Sequence, residues 1–210
     1  MSKLQDVENA VVSGKSKLVA GLVQEALDEG CSAPDILNGM INAMGIVGER
    51  FKKNEIFVPE MLVAARAMKK GVDVLKPHLA SGSAGVCGKA IIGTVAGDLH
   101  DIGKNLVAMM IESAGFEVID LGVDVPVEKF IETVKANPDV KIVGCSALLT
   151  TTMPALKSTV EALNAEDFRS HIKVMVGGAP ITQEFADEIG ADCYTPDAAS
   201  AAQAAKALVA

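Results

Sequence analysis

The chain has 210 residues and a formal net charge of −8, which leaves no basic surface for a nucleic-acid partner. Half of the residues are hydrophobic but only 3% are aromatic, so the core must be built from Val, Ile, Leu, Ala and Met, a composition suited to helices packed on a parallel sheet. MSKLQDVENA is too polar for a signal peptide, no apolar run reaches the roughly 18 residues of a membrane helix, and Cys31, Cys87, Cys145 and Cys193 form no CxxC pair; together these fit a protein of the reducing cytoplasm.

Up to Leu79 the periodicity is helical. KLQDVENAVVSG and SKLVAGLVQEALDEG carry apolar residues at three- and four-residue spacing and end on glycine. Ser32 is placed to cap a third helix through DILNGMINAMGIVGERFKKN, with Pro34 in its first turn, and Pro59 opens a fourth through His78 and Leu79. Four helices with short connections predict a small antiparallel bundle over 1–79. A small, Gly/Ser-rich linker follows at 80–88.

From Lys89 to Ala210 the rhythm becomes strand–helix. Strands are expected at 89–97, 116–121, 140–146, 172–177 and 192–194, with helices at 103–114, 126–136, 153–165, 181–189 and 197–208. This is an α/β pattern: a flavodoxin-like, doubly wound five-stranded parallel sheet in the order 2-1-3-4-5. Its ligand site falls at the carboxyl ends of the first and third strands. GDLHDIG, CSALLTTTM and VGGAP therefore come together.

His100 sits in the first of these loops and is one of three histidines in the chain. Asp98, two residues earlier, can accept a hydrogen bond from one ring nitrogen, fix the tautomer and leave the other nitrogen free for a metal. Gly103 permits close approach of a bulky ligand. One protein ligand makes a poor site for a bare ion, so the metal has to arrive held by a macrocycle. In the second loop, hydroxyls from Ser146 to Thr152 serve equally as a helix cap or as the lining of a groove, with Leu148 packing beside them. Gly177 and Gly178 read as a turn, or as a place where a ligand passes close to the backbone. A phosphate-binding reading is weaker, because neither GxGxxG nor GxxxxGK[ST] occurs after the first strand. A receiver domain would need an aspartate where Ser146 ends the third strand.

Asp98-x-His100-x-x-Gly103, Ser146-x-Leu148 and Gly177-Gly178, each after an expected parallel strand, resemble the DxHxxG…SxL…GG signature of cobalamin-binding proteins. The resemblance implies cobalamin or a related corrinoid as cofactor, bound base-off with His100 as the lower axial ligand to cobalt. Asp98 is then the hydrogen-bond partner of His100, and Gly103 is clearance for the corrin. Ser146, Leu148 and Thr150 line the pocket of the displaced nucleotide tail, for which Gly177 and Gly178 make room. Thr152 stands where methionine synthases carry a serine that extends the His–Asp relay.

MGIVGERFKKNEIFVPEMLVAARAMKKG, Met44 to Gly71, resembles the helical cap over the upper cobalt face in methionine synthase and in small corrinoid proteins. Phe57, and secondarily Met61, are the implied residues over the cobalt-bound methyl. The two resemblances point to the stand-alone corrinoid proteins of methanol, methylamine and methoxy-aromatic O-demethylase systems. They imply a carrier without catalysis of its own, cycling between Co(I) and methyl-Co(III). Its implied partners are a substrate:corrinoid methyltransferase, a methylcorrinoid:tetrahydrofolate or coenzyme M methyltransferase, and a reductive activase, with neither nucleic acid nor membrane involved. The linker would be the hinge on which the cap swings. A cobalamin-dependent isomerase subunit is disfavoured by the cap-like first half. A cobalamin sensor module is disfavoured by the acidic balance and the lack of a DNA-reading segment.

Overall fold

The computed structural model describes residues 2–79 and 87–210. The expected linker and hinge lie outside the described residues except for Cys87 and Gly88, and Gly88 already belongs to the first strand. The described residues divide into two units: one holds residues 2–79 together with Ser113–Gly115, the other Cys87–Glu112 and Phe116–Ala210.

The first unit contains α1 (Lys3–Val12), α2 (Ser16–Asp28), α3 (Ala33–Lys52) and α4 (Val58–Leu75). Ser32 caps α3 as its sequence predicts, its hydroxyl accepting from the Asp35 N–H at 3.2 Å. At the start of α4 the Glu60 carboxylate accepts from the Phe57 N–H at 3.1 Å. The helix stops at Leu75, earlier than its periodicity suggests, and Lys76–His78 form a 3-10 turn. Pro77 is the reason, since it has no N–H to continue the ladder. Among residues 2–79 the buried side chains are all apolar, with Val19, Ile36, Met40, Met61, Met68 and Leu75 fully buried.

The second unit alternates β1 (Gly88–Val95), α5 (Ile102–Ser113), β2 (Phe116–Val125), α6 (Val127–Ala136), β3 (Val140–Ser146), α7 (Met153–Asn164), β4 (Lys173–Gly177), α8 (Gln183–Ile189), β5 (Cys193–Tyr194) and α9 (Ala198–Val209). The sheet order is β2-β1-β3-β4-β5 and every pair is parallel, the doubly wound order its sequence predicts. Both faces are buried: Ile91, Val143 and Val174 pack with Phe130 of α6 and Leu156 of α7, while the alternate residues Ala90, Ile92, Ile142 and Met175 are buried on the other side.

Two strand ends differ from expectation, and both bear on the site. β1 ends at Val95 instead of Gly97, because Gly97 adopts φ +79° and the Asp98 N–H turns back to the Val95 carbonyl at 3.2 Å. β2 runs to Val125 instead of Leu121, with two register irregularities against β1 that pair Gly93 with Gly122 and Val95 with Val125. Across the neighbouring strands Thr94 pairs with Ser146 and Ser146 with Gly177. That row brings the ends of β1, β3 and β4, and the loops that follow them, to one edge of the sheet.

Candidate functional site

Asp98 is the centre of the site. Its side chain has 0% exposure although it lies in a surface loop. Oδ1 accepts from the His100 N–H at 3.1 Å and lies 2.7 Å from His100 Nδ1. Oδ2 accepts from the Leu148 N–H and from the Thr152 hydroxyl, each at 2.7 Å. Burial acts to raise the carboxyl pKa, but the donors from Leu148, Thr152 and His100 prevail and hold it well below the usual carboxylate range. An ionised Asp98 can only accept, so the proton of a neutral His100 imidazole resides on Nδ1. The lone pair of Nε2 is thereby left free, and the His100 side chain is 48% exposed.

A second chain of hydroxyls supports the loop. Thr94, buried at the end of β1, donates to the His100 carbonyl at 2.9 Å and lies 2.9 Å from the Ser146 hydroxyl. Because its one proton goes to the carbonyl, Ser146 must donate to Thr94. Leu148 is exposed beside Leu149, Thr150 is exposed in a 3-10 turn, and Thr152 closes that turn from a buried position. Gly103 faces open space. Gly178 has φ +133°, and a Cβ there would lie 1.8 Å from the Ala147 carbonyl oxygen. Its lack of a side chain is thus already demanded by the approach of the β3 and β4 loops. The remaining two candidates lie in the helical unit, where Phe57 is 63% exposed and Met61 is fully buried.

Sequence reasoning missed Thr94, Asp124 and Lys104. Lys104 looks like an ordinary residue of a helix start, yet its Nζ is buried and lies 2.6 Å from both carboxylate oxygens of Asp120 on β2. The pairing joins positions sixteen apart, one on α5 and one on β2, which no local pattern displays. Asp101 accepts at the helix start, its carboxylate from the Asn105 side-chain amide at 3.1 Å and its carbonyl from the Asn105 N–H at 2.7 Å.

Among the described residues no group of three or more His, Cys, Asp and Glu could hold a metal ion. Cys145, next to Ser146, is buried and its thiol is pushed up to about 12, so it remains protonated and supplies no soft ligand. The donor set is one imidazole nitrogen. Around it lie exposed apolar side chains, Leu99 at 73% and Ile102 at 86% exposure. One nitrogen ligand beside an apolar surface fits a metal already encircled by a flat organic ring.

The fold and this donor set fit an α/β protein that takes a macrocycle-held metal at the carboxyl edge of its sheet. The chain matches the B12 binding domain family over residues 88–206, and a second family of the same description over residues 4–76. It is 46% identical to a dimethylamine corrinoid protein of Methanosarcina barkeri over 209 residues, covering 99% of this chain and 97% of that one. It is 40% identical to a corrinoid protein of Desulfitobacterium hafniense, covering 100% and 98%. Among solved structures, a cobalamin-binding protein from Desulfitobacterium hafniense superimposes with a TM-score of 0.83 at 33% identity, covering 99% and 98%. The methanol:cobalamin methyltransferase complex MtaBC of Methanosarcina barkeri gives 0.84 at 28% identity, covering 99% and 79%. The chain belongs to the B12-binding corrinoid proteins of methyltransferase systems, and its cofactor is a corrinoid. No described helix is long and apolar enough to cross a membrane.

Proposed function

We propose that this protein binds its corrinoid with His100 Nε2 as the lower axial ligand and carries a methyl group between two methyltransferases. The observation that supports the reading best is the 2.7 Å contact between Asp98 Oδ1 and His100 Nδ1, which commits one nitrogen and frees the other. When bound, the corrinoid supplies a cobalt centre that takes up and gives up a methyl group. Asp98 holds the Nδ1 proton and orients the ring, and Thr152 and the Leu148 N–H keep Asp98 ionised. Ser146, Leu148, Thr150 and Gly177 line a groove for the nucleotide tail, Gly178 lets the β3 and β4 loops close beside it, and Gly103 leaves space for the ring. Phe57, exposed on the helical unit, is the residue to shield the methyl; Met61, the second candidate, is fully buried.

The methyl donor is a methylamine-type or methanol-type substrate presented by a substrate-specific corrinoid methyltransferase. This rests on the names of the relatives, a dimethylamine corrinoid protein and a methanol:cobalamin methyltransferase complex. A second methyltransferase passes the methyl to tetrahydrofolate or coenzyme M, and a reductive activase restores carriers lost to oxidation. The test is His100→Gln. The variant is expected to bind methylcob(III)alamin without the visible spectrum of a histidine-ligated corrinoid. An unchanged spectrum overturns the assignment.

A further inference from the structure

The loop that carries His100 is anchored on the β3 side by Thr94, Leu148 and Thr152. It is also gripped from the other side, by the bulged end of β2. Asp124 accepts from the Gly97 N–H through Oδ1 at 2.7 Å, and its own N–H donates to the Asp98 carbonyl at 2.9 Å. Asp120, four residues earlier, takes Lys104 Nζ at 2.6 Å and also accepts from the Gly122 N–H at 2.9 Å. Gly97 precedes His100 and Lys104 follows it, so one strand end holds both sides of the exposed stretch in between.

The backbone gives a second, independent sign. Asp124 sits at φ +52°, the one residue other than glycine with positive φ among the described residues of the α/β unit. A residue with a Cβ is disfavoured there, by roughly 1–2 kcal/mol for most side chains, and aspartate tolerates it better through local hydrogen bonds. Glycine would meet the backbone requirement without cost, but only aspartate or asparagine adds an acceptor for the Gly97 N–H.

We propose that Asp120 to Asp124 form a positioning clamp for His100, with Asp124 as its principal residue. Asp98 fixes the imidazole relative to itself. Asp124 fixes Asp98, because its N–H sets the peptide plane between Asp98 and Leu99, and its carboxylate closes the turn at Gly97. The clamp determines where Nε2 points and how far it can swing. It rests on the proposed role of His100, and it is tested in the corrinoid-free protein as well as the loaded one.

The experiment compares Asp124→Gly with Asp124→Asn in the full chain. Asp124→Gly keeps the positive φ and removes the acceptor. Amide exchange at Gly97 in the corrinoid-free protein is expected to quicken roughly tenfold or more, the loss of one hydrogen bond to a charged group. After loading with methylcob(III)alamin, the histidine-ligated fraction is expected to fall several-fold while the melting temperature stays near that of the parent. Asp124→Asn retains an acceptor and is expected to restore both readouts. Unchanged exchange and unchanged ligation in Asp124→Gly overturn the clamp. Faster exchange with ligation intact overturns its positioning role, and so does an Asp124→Asn variant as impaired as Asp124→Gly. If the parent protein itself never shows histidine ligation, the His100 assignment fails, and Gly97 exchange still reports on the clamp.

Discussion

The two units of this chain use polar groups in opposite ways. Among described residues 2–79 no polar or charged side chain is buried; in the α/β unit Thr94, Asp98, Lys104 and Thr152 all are, and each has a hydrogen-bond partner. The helical unit is held by methionine, valine and isoleucine, side chains that fill space without fixing a direction. The α/β unit holds one imidazole through Asp98, whose carboxylate makes directional contacts between 2.7 and 3.1 Å. Chemistry that depends on the angle of a nitrogen lone pair belongs to the second unit. The first can contribute shape and exclusion.

A pair of substitutions with similar effects on folding separates the two designs. Asp98→Asn leaves one acceptor oxygen where two are needed. With that oxygen toward His100, the amide NH2 meets the Leu148 N–H, which cannot turn away. With the oxygen toward Leu148, the NH2 meets His100, and Nδ1 must give up its proton to Nε2 and remove the free lone pair. Destabilisation of about 3 kcal/mol and loss of histidine ligation are expected together. Met61→Ala should cost a comparable 2–5 kcal/mol, as a cavity in a packed core. Its histidine-ligated spectrum should nevertheless be that of the parent. Urea denaturation and visible spectra of both variants check this, and a ligation defect in Met61→Ala breaks the comparison.

A smaller effect follows from the depressed pKa of Asp98. A group whose folded value lies below its unfolded value contributes stability that is present above the unfolded value, about 3.9 for aspartate, and lost as pH falls through the folded one. In a His100→Gln background, where the imidazole titration does not intrude, the stability gap between Asp98 and Asp98→Asn proteins should be flat from about pH 5 to 8 and should narrow below about pH 4. A gap that widened on acidification would mean that burial, and not the donors of Leu148 and Thr152, governs this carboxylate.

The sheet order was legible because apolar strands buried on both faces alternate with amphipathic helices, and the His100 loop was legible because its motif residues are close in sequence. The Asp98–Thr152 contact was visible through resemblance to a motif, although it spans 54 positions. Thr94, Lys104 and Asp124 were not visible. Each acts through a partner on another element or loop, and the irregular register of β2 after Asp120 bears on one of those contacts, that of Asp124. The letters GG fit a turn or a ligand's clearance equally, and the first obligation of Gly178 is to the Ala147 backbone. That contact depends on a turn geometry that the letters GG do not specify.

Phe57 is where the smallest folding effect should accompany a measurable functional one. At 63% exposure it contributes little to the bundle core, so Phe57→Ala should change stability by no more than about 0.5 kcal/mol. Phe57 stands at the N-cap of α4 with its own N–H accepted by Glu60, and its ring is exposed beside Val58. If it shields the upper face of the bound corrinoid, its removal admits water and oxidant without touching the His100 side. Loss of methyl from methylcob(III)alamin-loaded protein, or oxidation of the Co(I) form, should then quicken several-fold while histidine ligation stays intact. Equal rates in parent and variant would remove Phe57 from the site and leave the helical unit's contribution to residues elsewhere on its surface.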